Sequence, residues 1–169
     1  MLEDFEAVVR ALNAKGVRFL VAGGLAVVAH GYLRGTKDVD LVIELVPQNI
    51  ADTFAALESA GYKPMVPITA AQFADPAQRK AWIRDKGMRV LNFWSDKHRG
   101  MTVDVFVTEP FSFEEEYRQS LLKPLHGAVP VRFVTIPTLI RMKQAADRPQ
   151  DRIDIDYLRL RLEDDGKEQ

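Results

Sequence analysis

The chain has 169 residues, of which 47% are hydrophobic, so it can form one domain with a substantial core but hardly two. Its net charge of -1 gives no overall positive field to draw it onto nucleic acid or anionic lipid. The lack of cysteine excludes disulfides, thiolate zinc sites and cysteine nucleophiles. We expect a cytoplasmic protein with no membrane partner, because the N-terminal region is acidic and no apolar run approaches the ~20 residues of a membrane span.

The apolar spacing predicts alternating helices and strands in a single domain over 1–169. Helices are predicted at 2–16, after the glycine pair at 23–24, at 47–61, at 77–85 and at 113–121. Strands are predicted at 17–22, 38–45, 88–94, 101–107 and 129–135. The polar segment between the third and fourth of these strands indicates a hairpin.

The last part of the chain is predicted to add a strand and a pair of helices to this core. The strand at 129–135 is expected at an edge of the sheet, because Pro130 cannot donate to a neighbouring strand. The core then spans about 1–135, and two helices occupy about 137–162. The charged residues at 163–168 are expected to fray.

Two aspartates begin the strand predicted at 38–45. Successive residues of a strand face opposite sides of the sheet, so Asp38 and Asp40 share one face and the apolar residues share the other. In the strand at 101–107, Asp104 likewise lies opposite the valines. If the two strands are neighbours with their valine-rich faces against the same helices, the three carboxylates meet.

Three clustered carboxylates repel one another, and at least one of them should have a raised pKa. A divalent cation removes this repulsion, and hard oxygen ligands suit Mg²⁺, with Mn²⁺ as an alternative. We therefore expect Asp38, Asp40 and Asp104 to hold a metal ion that also binds the phosphates of an NTP. Because Gly23 and Gly24 have no side chains, a phosphate could approach their backbone and the start of the next helix.

These motifs carry a family resemblance. A glycine pair, an Asp-x-Asp strand after thirteen intervening residues and a lone aspartate on a later strand resemble the nucleotidyltransferase superfamily related to DNA polymerase beta. The segments "RGTKDVDL" (34–41) and "LIRMKQAADRPQDRIDIDYL" (139–158) resemble the AbiEii-type nucleotidyltransferases of bacteria, some of which are toxins of toxin-antitoxin systems. The positions that match the AbiEii-type pattern are Arg34, Thr36, Asp38, Asp40, Lys143, Arg148, Asp151 and Asp154.

The resemblance implies an α/β (α+β) nucleotidyltransferase fold, with a small mixed sheet, helices on one side and a C-terminal helical pair that closes the nucleotide cleft. It implies metal-dependent transfer of a nucleoside monophosphate from an NTP such as ATP to an acceptor hydroxyl. The acceptor is left open among RNA such as tRNA, a protein and a small molecule, and a cognate toxin or antitoxin is a further partner. The implied catalytic and metal-binding residues are Asp38, Asp40 and Asp104, and the implied nucleotide-binding residues are Gly23, Gly24, Arg34, Thr36 and Lys143.

Several of these residues also have a purely structural interpretation. Lys143 fits a surface lysine at the margin of an apolar stripe, and Arg34 fits a salt bridge within its loop. Asp151 fits a helix cap, and Asp154 fits a surface pair with Arg148.

Two further groups of residues in the middle of the chain are open to two interpretations. Lys97, His98 and Arg99 form the one local basic group that could contact RNA, although a solvated turn explains them as well. Trp82, Phe93 and Trp94 could stack on a base, whereas a place in the core is the alternative.

Two other classes of function remain open at this stage. The first is a module that binds an NTP or a toxin without transferring anything, and the second is another metal-dependent phosphoryl enzyme such as a nuclease. Clustered carboxylates favour catalysis over simple binding, because a binding module has no need of three of them.

Overall fold

Seven strands form one mixed sheet in the computed structural model of the protein, which describes residues 2–167. The strands are β1 Phe19–Ala22, β2 Asp38–Ile43, β3 Lys63–Pro64, β4 Val90–Trp94, β5 Thr102–Phe106, β6 Leu121–Leu125 and β7 Val129–Phe133. The helices are α1 Leu2–Ala14, α2 Gly23–Ala29, α3 Pro47–Ser59, α4 Ala70–Ala74, α5 Pro76–Lys86, α6 Phe113–Gln119, α7 Ile136–Ala146 and α8 Pro149–Lys167.

The order of the strands places β2 at the centre of the sheet. The order is β3-β4-β5-β2-β1-β7-β6, in which β2 runs antiparallel to β1 and parallel to β5. Because of these directions, the C-terminal end of β1 and the N-terminal end of β2 lie next to each other. The loop after β1 and the first residues of β2 are therefore neighbours in space.

The core lies against the valine-rich face of the sheet. Side chains of β2 and β5 that alternate with the aspartates are fully buried, among them Val39, Leu41, Val103 and Val105. Helix α3 packs on this face through Phe54, whose ring lies 5.3 Å from that of Phe93, and α1 and α4 pack against α3. Near the start of β2, the face of the sheet opposite the valines carries polar residues.

A second group of helices forms beside that polar region. Helix α2 contacts both β2 and α7, and α7 packs against α8. Tyr32, which follows α2, stacks on Tyr157 of α8 with ring centroids 4.4 Å apart. The C-terminal helices are thereby held against the loop that joins α2 to β2. Among residues 2–167, no helix combines the length and the apolar character that crossing a membrane requires.

The predicted fold class and the β4–β5 hairpin are confirmed. The sequence analysis missed β3, α4 and β6, and α8 continues to Lys167 where fraying was expected; Glu168 lies outside the described residues.

The edge position predicted for 129–135 is wrong, because β7 lies between β1 and β6. A proline is tolerated there since β1 meets β7 only at the Val21–Phe133 pair, so β1 needs no donor from Pro130.

Candidate functional site

Three aspartates lie at adjacent positions on two neighbouring strands. Asp40 of β2 is paired directly with Asp104 of β5, and Asp38 is paired with Thr102. Because side chains alternate along parallel strands in matching register, all four of these residues project from the same face. The pairing of strands that the sequence predicted is therefore confirmed, whereas the functional role of the aspartates stays a prediction.

The carboxylates of Asp38 and Asp104 each accept a hydrogen bond from an uncharged side chain. The hydroxyl of Thr102 donates to Asp38 Oδ1 at 2.8 Å, and the side-chain amide of Asn92 on β4 donates to Asp104 Oδ1 at 2.7 Å. Each carboxylate keeps a second oxygen for another partner. Asn92 and Thr102 are parts of the site that the sequence analysis missed, although their register beside the aspartates follows from the same alternation.

The carboxylates raise one another's pKa. Burial, together with the charges of Asp104 and Asp38, raises the pKa of Asp40 to about 6. Burial also raises the pKa of Asp104, against the opposing effect of the hydrogen bond from Asn92. Lys143 and Arg148 lie near enough to favour the charged form of Asp40, but they do not offset the burial and the repulsion. An added positive charge at this site would therefore favour the ionised form of Asp40.

Gly23 makes room for Asp40. A Cβ atom added to Gly23 would lie 1.8 Å from Asp40 Oδ2, and the glycine has a φ of +61°, which other residues rarely adopt. Any side chain here would displace the carboxylate. The predicted contact of Gly23 with phosphate stays a prediction, and the structure supplies a second reason for a glycine.

Gly24 makes room for the loop that leads into β2. A Cβ atom on Gly24 would lie 2.7 Å from Thr36 Oγ1 and 2.9 Å from Arg34 Nη2. Arg34 is mostly buried, and its Nε atom is buried without a hydrogen-bond acceptor among the described residues. Buried donors without an acceptor are rare in proteins, so an acceptor from outside the chain would stabilise Arg34 in this position.

Lys143 is a buried cation held by two aspartates. Its side chain is only 6% exposed, and its ammonium lies 2.6 Å from Asp154 Oδ2 and 3.1 Å from Asp151 Oδ1. The interpretation of Lys143 as a surface lysine is therefore wrong. Buried charges are retained in pairs, because an unpaired charge in the interior is costly.

Asp154 connects α8 to the loop before β2. It is fully buried, and it accepts hydrogen bonds from Lys143 and from Gln150 Nε2, the latter at 3.0 Å. Its Oδ2 also lies 3.2 Å from Arg34 Nη2. The expected surface pair with Arg148 is wrong, because Arg148 binds Asp151 instead.

Asp151 both caps α8 and binds two cations. Its Oδ2 accepts from the backbone amide of Arg148 at 3.1 Å and from Arg148 Nε at 3.2 Å. Although burial opposes it, the hydrogen bond from Lys143 helps to hold the pKa of Asp151 below its usual value. The predicted cap is confirmed, but it accounts for only one of the two carboxylate oxygens.

The three aspartate side chains do not converge on a single point. Within residues 2–167, no three His, Cys, Asp or Glu side chains are grouped so that they could hold a metal ion as they stand. The hydrogen bonds from Thr102 and Asn92 engage one oxygen of Asp38 and one of Asp104, and the second oxygen of each remains available.

The predicted basic group at 97–99 is divided by the fold. His98 is buried, its Nδ1 lies 2.6 Å from Asp4 Oδ1, and its ring stacks on Tyr62. The interpretation of His98 as part of a solvated turn is therefore wrong. Lys97 and Arg99 remain exposed.

Solved structures share this architecture over most of the chain. The crystal structure of the lincosamide antibiotic adenylyltransferase LnuA with lincomycin bound matches with a TM-score of 0.62 and 13% identity, over 93% of this chain and 95% of that one. The solution structure of the antibiotic-resistance factor ANT(2'')-Ia matches with a TM-score of 0.58 and 16% identity, over 99% and 85%. The fold is that of a nucleotidyltransferase.

A second structure of ANT(2'')-Ia, in complex with adenylyl-2''-tobramycin, matches with a TM-score of 0.58 and 15% identity, over 93% of this chain and 86% of that one.

No protein-family model matches the sequence, and a search of curated proteins gives no match. At these identities the nucleotidyltransferase fold is established by shape. The chemistry has to be argued from the residues of the site.

Proposed function

We propose that the protein is a metal-dependent nucleotidyltransferase that moves a nucleoside monophosphate from an NTP to an acceptor hydroxyl. The observation that carries this proposal is the direct pairing of Asp40 with Asp104 on neighbouring strands, with Gly23 against Asp40 and Asp38 one pair away. A purely structural sheet has little use for such an arrangement, since like charges side by side disfavour folding. The similarity in fold to antibiotic nucleotidyltransferases gives further support.

The donor set fits a hard divalent cation. It consists of carboxylate oxygens, which Mg²⁺ and Mn²⁺ prefer. Burial and the charges of Asp104 and Asp38 raise the pKa of Asp40 in spite of Arg148 and Lys143, so a cation would favour its charged form. Asp38, Asp40 and Asp104 would hold the ion through oxygens that remain available beside their hydrogen bonds. When bound, such an ion neutralises phosphate charge and stabilises displacement at phosphorus.

Other roles fall to the side chains around the ion, which would bind the triphosphate and accept a proton. Lys143, Arg34 and Arg148 would attract the triphosphate, and the unpartnered Nε of Arg34 would donate to one of its oxygens. Asp104 would accept the proton of the attacking hydroxyl, and its raised pKa suits a general base better than an ordinary carboxylate. Asn92 would hold Asp104 in place for that transfer.

The closer resemblance to AbiEii-type enzymes is supported by the ion-pair network. Four residues of the pattern, Arg34, Lys143, Asp151 and Asp154, are joined through short contacts although they come from distant parts of the chain. We propose on this basis that the network organises the cations for the nucleotide. A cognate toxin or antitoxin and a cytoplasmic location remain predictions.

The test is a transfer assay with each of the four NTPs labelled at the α-phosphate, in the presence of Mg²⁺. We expect label on an acceptor and release of pyrophosphate, both abolished by Asp40→Ala and Asp104→Ala in protein that stays folded. Full activity of either variant would refute the assignment. Binding of NTP without release of pyrophosphate would favour the binding module, and shortening of added RNA would favour the nuclease.

A further inference from the structure

An open strip of sheet continues from the aspartates to the edge strand β3. Two rows of paired residues cross it. Asp104 is paired with Asn92, whose backbone carbonyl accepts from Met65 at 2.8 Å, so Met65 ends the row that contains the reacting carboxylate. In the next row, the register of β4 with β5 brings Trp94 opposite Thr102, and Trp94 is paired with Lys63.

We call this surface the β3–β4 face and define it by Lys63, Met65, Asn92 and Trp94. Alternation along the strands aims Lys63, Asn92 and Trp94 to the same side as Asp104, and Met65 follows β3 with its backbone bonded to Asn92. The other side of these strands is covered, because Phe93 is buried against Phe54 of α3.

Two large apolar side chains on the β3–β4 face are exposed beside the polar site. Trp94 is 37% exposed and Met65 is 60% exposed. An indole left in water next to a catalytic group is a ready stacking surface for a flat ring. Strand neighbours lie about 4.8 Å apart, so Trp94 stands roughly 10 Å from Asp38, two strands away.

Lys63 places a positive charge beside Trp94 at the outer end of this strip. Lys63 is exposed, and among residues 2–167 no carboxylate lies within the 4.0 Å of a salt bridge to its ammonium. In the turn that follows Trp94, Asp96 and Lys97 are both exposed and contribute opposite charges. Lys63 would therefore attract a phosphate bound beside Trp94.

We propose that the β3–β4 face binds the acceptor, and that the acceptor presents a nucleotide unit. Its base would stack on Trp94, its phosphate would lie at Lys63, and its hydroxyl would point along the row toward Asp104. The transfer step rests on the proposed function, but binding to the β3–β4 face does not. The chemistry is shared by the end of an RNA chain and by a free nucleotide, and the test distinguishes the two.

The test of binding uses Trp94 itself as the reporter, in protein carrying Trp82→Phe so that Trp94 is the one tryptophan left. Fluorescence is followed while the protein is titrated with hexa-adenylate RNA, with AMP, or with tobramycin, without NTP. We expect quenching by RNA or by AMP: RNA alone identifies the end of a chain, and AMP alone or both identify the nucleotide unit as sufficient. Quenching by neither, or by tobramycin with higher affinity than both, overturns the proposal.

A charge-reversal pair tests the role assigned to Lys63. Lys63→Glu should weaken the binding seen by Trp94 roughly tenfold. Lys80→Glu makes the same change at an exposed position of α5 and should leave binding within about twofold, as for a surface charge outside the site. Equal affinity of the two variants overturns the phosphate site.

Transfer kinetics separate this proposal from the proposed function. Trp94→Ala should raise the acceptor KM about tenfold and leave the NTP KM unchanged, since stacking of one base is lost. A rise in the NTP KM with no change in the acceptor KM overturns the proposal. If the wild type binds RNA or AMP at Trp94 but transfers nothing from any NTP, the β3–β4 face stands and the proposed function fails.

Discussion

The negative charge of Asp40 is costly to the folded protein when no cation is bound. Its pKa is raised from 3.8 to about 6 in the folded state. Two pKa units correspond to about 3 kcal/mol, at 1.36 kcal/mol for each unit. Because the side chain is only partly shielded from water, we reduce this to about 1–2 kcal/mol.

The sign of the effect follows from which state binds the proton more tightly. A raised folded pKa means that the folded protein holds the proton better than the unfolded chain does, so the protonated site favours folding. This advantage is complete below about pH 4 and is lost as the pH rises through about 6. Above that pH, the ionised carboxylate is a net penalty to the folded state.

Removing the charge should therefore stabilise the metal-free protein at high pH. In EDTA at pH 8, Asp40→Asn should raise the free energy of unfolding by about 1–2 kcal/mol, which corresponds to about 3–6 °C in Tm for a chain of this size. At pH 4 the two proteins should unfold alike. Urea and thermal unfolding at both values of pH measure the difference, with Asp156→Asn on the exposed side of α8 as the control.

Asp40→Asn should also lose the stabilisation that a bound cation provides. Added Mg²⁺ should stabilise the wild type and leave Asp40→Asn unchanged, since a ligand stabilises only the state that binds it. A variant no more stable than the wild type at pH 8, or a gain that does not depend on pH, would refute the electrostatic reasoning.

Two other substitutions test the support of the site. Lys143→Met should cost about 3 kcal/mol in urea unfolding, because it leaves the buried Asp151 and Asp154 without their shared cation; a loss below about 1 kcal/mol, within the range of an exposed pair, would contradict this. Gly23→Ala should abolish transfer and lower stability by at least ~1 kcal/mol, because its Cβ would collide with Asp40 at a positive φ; an active, equally stable protein would show that the carboxylate can move.

Matched controls accompany both substitutions. Lys80→Met removes an exposed lysine from α5 and should change stability by less than about 0.5 kcal/mol. Gly100→Ala adds a Cβ at a glycine with no heavy atom within 4 Å and should leave transfer and stability near the wild type.

Strand alternation was sufficient to predict the part of the site that lies in the sheet. Asp38, Asp40 and Asp104 have the same parity against buried valines, and this local pattern survives folding because a one-residue slip would expose the apolar face. Asn92 could have been found in the same way, since it occupies the matching position of the hairpin partner.

The remaining features depend on contacts between distant residues, which leave little local signal. His98 has the appearance of a turn residue, yet its partner Asp4 lies 94 positions away. The space that Gly23 leaves for Asp40 is likewise visible only in three dimensions. Strand β6 was missed because Pro124 interrupts a short and weakly alternating segment.

Binding of Mn²⁺, followed by electron paramagnetic resonance in the presence of a non-hydrolysable NTP analogue, tests the central claim most directly. We expect the wild type and Asp156→Asn to bind the ion alike, and Asp40→Ala and Asp104→Ala to lose that binding while remaining folded. Binding of Mn²⁺ by either of the latter two variants with the affinity of the wild type would contradict the assignment of these carboxylates as the metal site.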